Sequence, residues 1–398
     1  MTLAESRMGS ITAHLDRART ARILCDLVRI RSQNPLDGEG EVAGYVARFL
    51  RRLGLEVETP EVLPGRPNVI ARLRGLDGGP VLAFNTHMDT VPEGNGWTRA
   101  PFGGEVVDGD LYGRGAVDAK GPLAALLAAV EGIVRSGARL RGDLLVTAVA
   151  DEETCSTGAR RLCSEIEADL AIVGEPTRLQ VGVAHRGSLR PVIVVTGRTA
   201  HSSRPHEGVN AVYRAVPVIQ ALETYGRALA SRPPHPLCGA PSAAVTLVNA
   251  GIKENVIPGR CEIVLDRRMV PGEDEERTLA EVGEVLDRIR AENPGLEVAV
   301  ERTIPTTGAP SELDPSHPLV GIALEAASLA LGAPARLHGL SGACDMTHFR
   351  AAGVPCVVMG PGDEAQAHQP DERMSVEQLH QGALAYALAA MAACGVVA

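Results

Sequence analysis

The sequence predicts an α/β protein with a largely parallel central sheet, interrupted part-way by a smaller α+β domain. Three observations carry that expectation. Short apolar runs alternate with helical stretches up to about residue 183 and again past 304. Those runs lack the in–out alternation of half-exposed strands, so both faces of each are covered, as in a parallel sheet. Between them the texture changes, and the length of 398 residues suits two or three domains at about 100–200 residues each.

The first fifty residues carry two helical spacings, Leu15, Ile23, Leu27 and Ile30, then Val42, Val46, Phe49 and Leu50, separated by a loop at Asn34-Pro35. Buried strands are expected at 68–73, 81–85, 144–150 and 170–173. A helix is expected at 122–134, with Pro122 in its first turn, where a missing N–H costs nothing. Within the interruption, 189–196 and 261–266 read as strands, and 210–229 and 274–291 as helices. Alternation then resumes with a helix at 318–331, a buried strand at 354–359 and a terminal helix. The Ala/Gly-rich stretch 382–398 is short of the roughly 20 residues of a membrane span and reads as buried helix. The expected domains are 1–183 with 304–398, and 184–303 as the insert.

Composition excludes several classes. The net charge of -10, from 49 Asp+Glu against 39 Lys+Arg, argues against nucleic-acid or anionic-membrane partners. At 3% aromatic residues, base-stacking platforms are scarce. Only Lys120 and Lys253 are lysines, leaving 37 arginines; the skew reads as composition and makes Lys120 conspicuous. Eight cysteines without a C-x-x-C pair read as reduced, mostly buried thiols. With no apolar signal core in MTLAESRMGSITAHLDRART, a cytoplasmic protein is expected. No G-x-x-x-x-G-K-[ST] or G-x-S-x-G occurs, so phosphate-cradling and serine-hydrolase chemistry lack support.

Metal-ligating side chains fall at the ends of the apolar runs. VLAFNTHMDTVP delivers His87 and Asp89, two apart and so on one side of an extended chain. A carboxylate there suits fixing the tautomer of a ligand histidine. GRGAVDAKGP places Asp118 before the 122–134 helix, LLVTAVADEET ends in Asp151, Glu152 and Glu153, LAIVGEPT ends in Glu175, and QAHQPDE presents His368. Each has a plain alternative: Asp118 as a helix cap, the acidic run as a solvated loop, Glu175-Pro176 as a turn, His368 as a surface histidine. Their recurrence at strand ends, where α/β proteins place their sites, points to metal binding.

The motifs THMDTVP, GRGAVDAKG, DEE, GEPT, TAHSSRPHEGVNA, NVIPG, LDRRMVPGE and GPGDEAQAHQPDE, in that order, span most of the chain. The set resembles the dinuclear zinc amidohydrolases that include acetylornithine deacetylase, succinyl-diaminopimelate desuccinylase, aminoacylase and glutamate carboxypeptidase. The resemblance implies a catalytic domain with helices on both faces of its sheet and an inserted lid that forms a homodimer. It also implies two divalent ions, Zn²⁺ foremost with Co²⁺ or Mn²⁺ as alternatives. His87 and Glu175 would hold one ion and Glu153 and His368 the other, with Asp118 bridging; Asp89 would orient His87. Glu152 would be the general base towards a bridging hydroxide. His201 would reach the partner's site to stabilise the oxyanion, and Arg268, with Asn255 beside it, would grip a substrate carboxylate.

Arg267, where relatives often carry an apolar residue, is a departure that is either structural or tunes the pocket. SGACDMTHF is another, placing Cys344 and Asp345 near the expected substrate pocket. Cys155, two residues after Glu153, reads as a buried small side chain. The implied activity is hydrolysis of the amide bond of an N-acyl amino acid or related small carboxylate. The alternative is a dipeptidase or carboxypeptidase on the same site. Glu175, where peptidase relatives often have Asp, favours the deacylase.

Overall fold

The computed structural model describes residues 11–76 and 78–397. The chain opens with α1 (Arg17–Arg29) and α2 (Gly40–Arg52). The Asp16 carboxylate caps α1 by accepting the N–H of Ala18 at 2.8 Å and of Arg19 at 3.2 Å. β1 (Glu56–Glu58), β2 (Val69–Leu73), β3 (Leu82–His87), α3 (Lys120–Arg135), β4 (Leu144–Val149), α4 (Thr157–Glu165), β5 (Leu170–Val173) and β6 (Val181–His185) follow. Next come β7 (Gly187–Thr196), β8 (Ala200–His201), α5 (Ala211–Ala230), β9 (Ser242–Ala250), β10 (Val256–Ile257), β11 (Arg260–Met269), α6 (Glu275–Glu292) and β12 (Glu297–Ile304). The chain closes with α7 (Pro318–Leu331), α8 (Met346–Ala351), β13 (Cys356–Val358) and α9 (Val376–Cys394).

Two compact units result. The first runs to Val183 and takes in Glu312–Gly339 and the chain from Cys344 onward; the second is Ala184–Ser311 with Leu340–Ala343. The return to the first unit therefore falls at Glu312 and not at 304, because β12 extends the second sheet to Ile304 and Gly187 packs closely on Pro310.

In the first unit the sheet order is β1-β2-β4-β3-β5-β13-β6. The middle strands β4, β3, β5 and β13 are mutually parallel, and the flanking pairs are antiparallel. Every residue of β3 and β4 is buried, which is why neither shows alternation in sequence. Helices α1, α3, α7 and α9 pack together, and α4 and α8 form another group. Helix α9 buries Leu379, Tyr386 and a run of alanines. Among the described residues no helix is long and apolar enough to cross a membrane. Among the described residues no disulfide forms, and five of the eight cysteines are buried.

The second unit is an antiparallel sheet, β9-β11-β7-β12, with α5 and α6 sharing its core. Ile193, Val195, Ile263 and Leu265 of the sheet pack with Leu222, Tyr225, Leu286 and Ile289 of the helices. The expected strands at 189–196 and 261–266 are its centre; β9 and β12 were not expected. Strand β9 reads SAAVTLVNA, an apolar run, yet much of it is exposed because it lies at the edge of the sheet. A small ribbon pairs β8 with β10, His201 opposite Val256.

Candidate active site

Five side chains converge at one end of the parallel strands of the first unit. His87 ends β3, Glu175 lies just beyond β5, Glu153 follows β4, Asp118 precedes α3 and His368 lies on the loop after β13. His87 Nε2 lies 3.1 Å from Asp118 Oδ1 and 3.9 Å from Glu175 Oε1. His368 Nε2 lies 3.2 Å from both Asp118 Oδ2 and Glu153 Oε2. The donor atoms thus form two sets, His87–Asp118–Glu175 and Asp118–Glu153–His368, each within 4.8 Å. Asp118 turns one oxygen to each histidine.

The charges strain against burial. Burial opposes ionisation of Asp118, yet the His368 and His87 hydrogen bonds hold its carboxyl far below the usual range. His368 is pushed up to about 10 by Asp118 and Glu153. Burial, with the charges of neighbouring carboxylates, pushes Glu152, Glu153 and Glu175 upward. So many enclosed carboxylates around two imidazoles carry negative charge that divalent cations would balance. Two histidines and three carboxylates, one shared, are a donor set that fits Zn²⁺ and also Co²⁺ or Mn²⁺.

Glu152 is buried beside these groups and belongs to neither set. Its placement comes from the turn after β4. Asp151 there has φ 69°, in the left-handed region. It is held by Asn34 Nδ2 at 2.9 Å, by the Arg66 guanidinium at 3.2 Å and through its own N–H to Glu39 at 3.0 Å. The Asp89 carboxylate accepts the N–H of Glu152 at 3.2 Å and of Glu153 at 3.1 Å, and Asn34 Nδ2 at 2.9 Å. His87 Nδ1 lies closer to the Asp89 carbonyl, 3.0 Å, than to its carboxylate, 3.4 Å. Asp89 therefore contacts His87 mainly through its backbone, while its carboxylate caps the turn that carries Glu152 and Glu153. A proton on Nδ1 leaves the Nε2 lone pair facing Asp118 and Glu175.

Behind this cluster, Asn85 Nδ2 donates to Asp345 at 2.9 Å and Thr147 Oγ1 donates to Asn85 Oδ1 at 2.9 Å. Asp345 is wholly buried and pushed up to about 6 by that burial. The Cys344 thiol is buried and raised for the same reason. Burial also raises Cys155, which lies part-way into the surface.

The remaining expected residues are carried by the second unit. His201 is exposed, its Nδ1 at 2.7 Å from Ser203 Oγ. Asn255, also exposed, is tied to it through the ribbon: its carbonyl accepts the Ser202 N–H at 3.0 Å. Arg268 Nε donates to Asp266 Oδ1 at 2.6 Å, and Arg190 Nε donates to Asp266 Oδ2 at 2.9 Å. Arg267 points to the opposite face and is fully buried, pairing with Glu273 at 2.6 Å and donating to the Tyr225 hydroxyl at 3.1 Å. Its role is structural: it also donates to the Arg268 carbonyl at 2.5 Å.

Sequence reasoning missed Asn34, Arg114 and Glu372. Asn34 read as an ordinary loop residue before proline. Glu372 closes the QAHQPDE motif, four residues after His368, and that spacing was the available signal.

Residues 83–392 match peptidase family M20/M25/M40. The acetylornithine deacetylase of Proteus mirabilis (strain HI4320) is 35% identical over 336 residues, 82% of this chain and 83% of that protein. That of Aliivibrio fischeri (strain ATCC 700601 / ES114) is 32% identical over 349 residues, 85% and 88% of the two chains. Among solved structures, a tripeptidase from Staphylococcus aureus superposes with TM-score 0.77 at 22% identity, covering 96% of this chain and 99% of that one. A dinuclear metal-binding peptidase of the M20 family from Bacillus subtilis gives TM-score 0.71 at 19% identity, with coverages of 96% and 99%. At these identities the structural likeness is one of fold.

Proposed function

The chain belongs to peptidase family M20/M25/M40, and from that premise we propose that it hydrolyses the amide bond of N-acyl amino acids or related small carboxylates. One observation carries the reading: Asp118 presents its two oxygens to two separate histidine–carboxylate sets, with an uncommitted carboxylate, Glu152, beside them. His87, Asp118 and Glu175 would hold one divalent ion, and Asp118, Glu153 and His368 the other. Two ions so held would supply Lewis-acid activation of the scissile carbonyl and of the attacking water. Glu152 takes a proton from that water and delivers it to the departing amine. The turn fixed by Asp89 and Asn34 keeps Glu152 out of both ligand sets, and so free to carry the proton.

Acetylornithine deacetylases alignable over more than four-fifths of this chain support a deacylase over a peptidase. A panel of N-acetyl, N-formyl and N-succinyl amino acids beside dipeptides tests the choice. Faster turnover of the acyl amino acids is expected, and far faster turnover of dipeptides would overturn it. Zn²⁺ is the proposed resident ion and the cytoplasm the proposed compartment, in keeping with eight cysteines that form no disulfide among the described residues.

The second unit is proposed as a lid that pairs two copies, with His201 acting on the partner's oxyanion and Arg268 and Asn255 on the substrate carboxylate. Strand β9 is an open sheet edge exposing Leu247 and Val248, with Ile252 just beyond it 85% exposed. Tyr213, on the adjacent α5, is 76% exposed. Leu247→Asp should convert a dimer to monomers in sedimentation velocity; wild-type protein that sediments as a monomer would refute the pairing.

A further inference from the structure

Glu372 is wholly buried, yet belongs to neither donor set. Its carboxylate receives four donors. Oε1 accepts the N–H of Val117 at 2.8 Å and of Asp118 at 3.1 Å. Oε2 accepts Arg114 Nη1 at 2.6 Å and the N–H of Gly115 at 3.1 Å. The Glu372 carbonyl takes the Gly113 N–H at 2.9 Å. The loop 113–118, which ends in the shared ligand Asp118, is therefore wrapped around this one side chain. Its tightness is visible at Gly115: φ is +81°, and a Cβ there would meet Thr90 Cγ2 at 2.6 Å.

Arg114, with a side chain only 2% exposed, extends the same clamp. Besides Glu372 it donates from Nη2 to the Glu93 carbonyl at 3.0 Å and from Nη1 to the Gln369 carbonyl at 3.3 Å. Its guanidinium also lies 5.2 Å from the centre of the Trp97 ring. One buried ion pair thus joins the loop after β3, the loop of Asp118 and the loop of His368.

The two donor sets depend on that clamp unequally. His87 and Glu175 sit at or just beyond strand ends and are placed by the sheet. His368 has no strand beneath it; it is half-exposed and has φ 62°. Its loop is anchored four residues on, at Glu372. Two of the three donors in the Asp118–Glu153–His368 set therefore lie on clamped loops, against one of three in the His87–Asp118–Glu175 set. We propose that the Arg114–Glu372 pair is a positioning pair that locks Asp118 to the His368 loop and thereby sets the affinity of the Asp118–Glu153–His368 set for its ion. This rests on the dinuclear reading above.

The test is calorimetric titration of chelator-stripped protein with Zn²⁺, alongside the thermal midpoint of the stripped form. Wild type should bind two equivalents; fewer would overturn the dinuclear reading itself, whatever the variants do. Glu372→Gln turns an amide donor towards backbone donors and removes the charge facing Arg114. It should keep one tight equivalent and bind the other about 10–100-fold more weakly, the range usual for residues that orient metal ligands. Two equivalents at wild-type affinity, even with a lowered thermal midpoint, would make the pair merely structural and overturn the inference. Should Glu372→Gln not fold, Arg114→Lys carries the test, because an ammonium cannot span Glu372 and the Glu93 carbonyl together. A selectively weakened equivalent supports the clamp there too, and unchanged affinities refute it.

Discussion

Asp89→Asn is a nearly isosteric change whose cost can be worked from the contacts. The Asp89 carboxylate faces donors only: Asn34 Nδ2 and the Glu153 N–H on Oδ2, the Glu152 N–H on Oδ1, and His87 Nδ1 at longer range. Whichever way an asparagine amide is turned, its NH₂ meets at least one N–H that needs an acceptor. A buried donor left without its partner costs about 1–3 kcal/mol. At about 1.4 kcal/mol per tenfold, that is a loss of roughly five- to a hundredfold where the strain falls on the reaction. It falls there because the disturbed N–H groups belong to the proposed base Glu152 and the proposed ligand Glu153. The expected result is a kcat/KM on an N-acetyl amino acid lowered roughly five- to a hundredfold, with the circular dichroism spectrum kept. Steady-state kinetics beside metal analysis would show it. Activity within twofold of wild type, with full metal content, would refute the view that Asp89 holds the Glu152 turn.

Other outcomes follow from the same contacts. Glu152→Gln should lower kcat by about 10²–10⁴ with both ions still bound by metal analysis; unchanged turnover would remove Glu152 from proton transfer. Arg268→Ala should cost about ten- to a hundredfold in kcat/KM, the worth of a charged hydrogen bond, for substrates with a free carboxylate. The same loss on the matching carboxamide would refute carboxylate recognition. His185 is wholly buried, and burial pushes its imidazole down to about 4 from 6.5. The unfolded chain then takes up the proton first, so stability is full above pH 6.5 and falls by up to about 3 kcal/mol as pH drops through 4. His185→Gln should flatten that part of the denaturation profile, and an unaltered slope would refute it.

What could be read in advance follows from how locally each feature is encoded. The helix expected at 318–331 forms over the same residues, Pro318–Leu331, because its proline start, apolar stretch and closing Gly332 lie together in the chain. The strand at 170–173 likewise forms as Leu170–Val173. Of the proposed ligands, His87, Glu153 and Glu175 were conspicuous because each ends or closely follows an apolar run, whereas Asp118 and His368 stand in loops and stood out only through the motifs around them. Strand β9 was missed although its sequence, SAAVTLVNA, is mostly apolar; that run lies exposed at a sheet edge and not in the core. Asn34, Arg114 and Glu372 were hidden because their partners are remote in sequence. Asn34 meets Asp151 117 residues on, and Arg114 meets Glu372 258 residues on. No window-based pattern links a polar loop residue to a partner that only the closed sheet brings near. Arg267 was ambiguous until its burial against Glu273 and Tyr225 was seen.

The proposed dinuclear centre is tested most directly by removing and restoring divalent ions while hydrolysis of an N-acetyl amino acid is followed. Two divalent ions per chain, activity abolished by a chelator and recovered as both ions return, with Asp118→Asn failing to recover, is the predicted result. Hydrolysis that survives full removal of metal, or an Asp118→Asn variant that regains wild-type turnover, would contradict it.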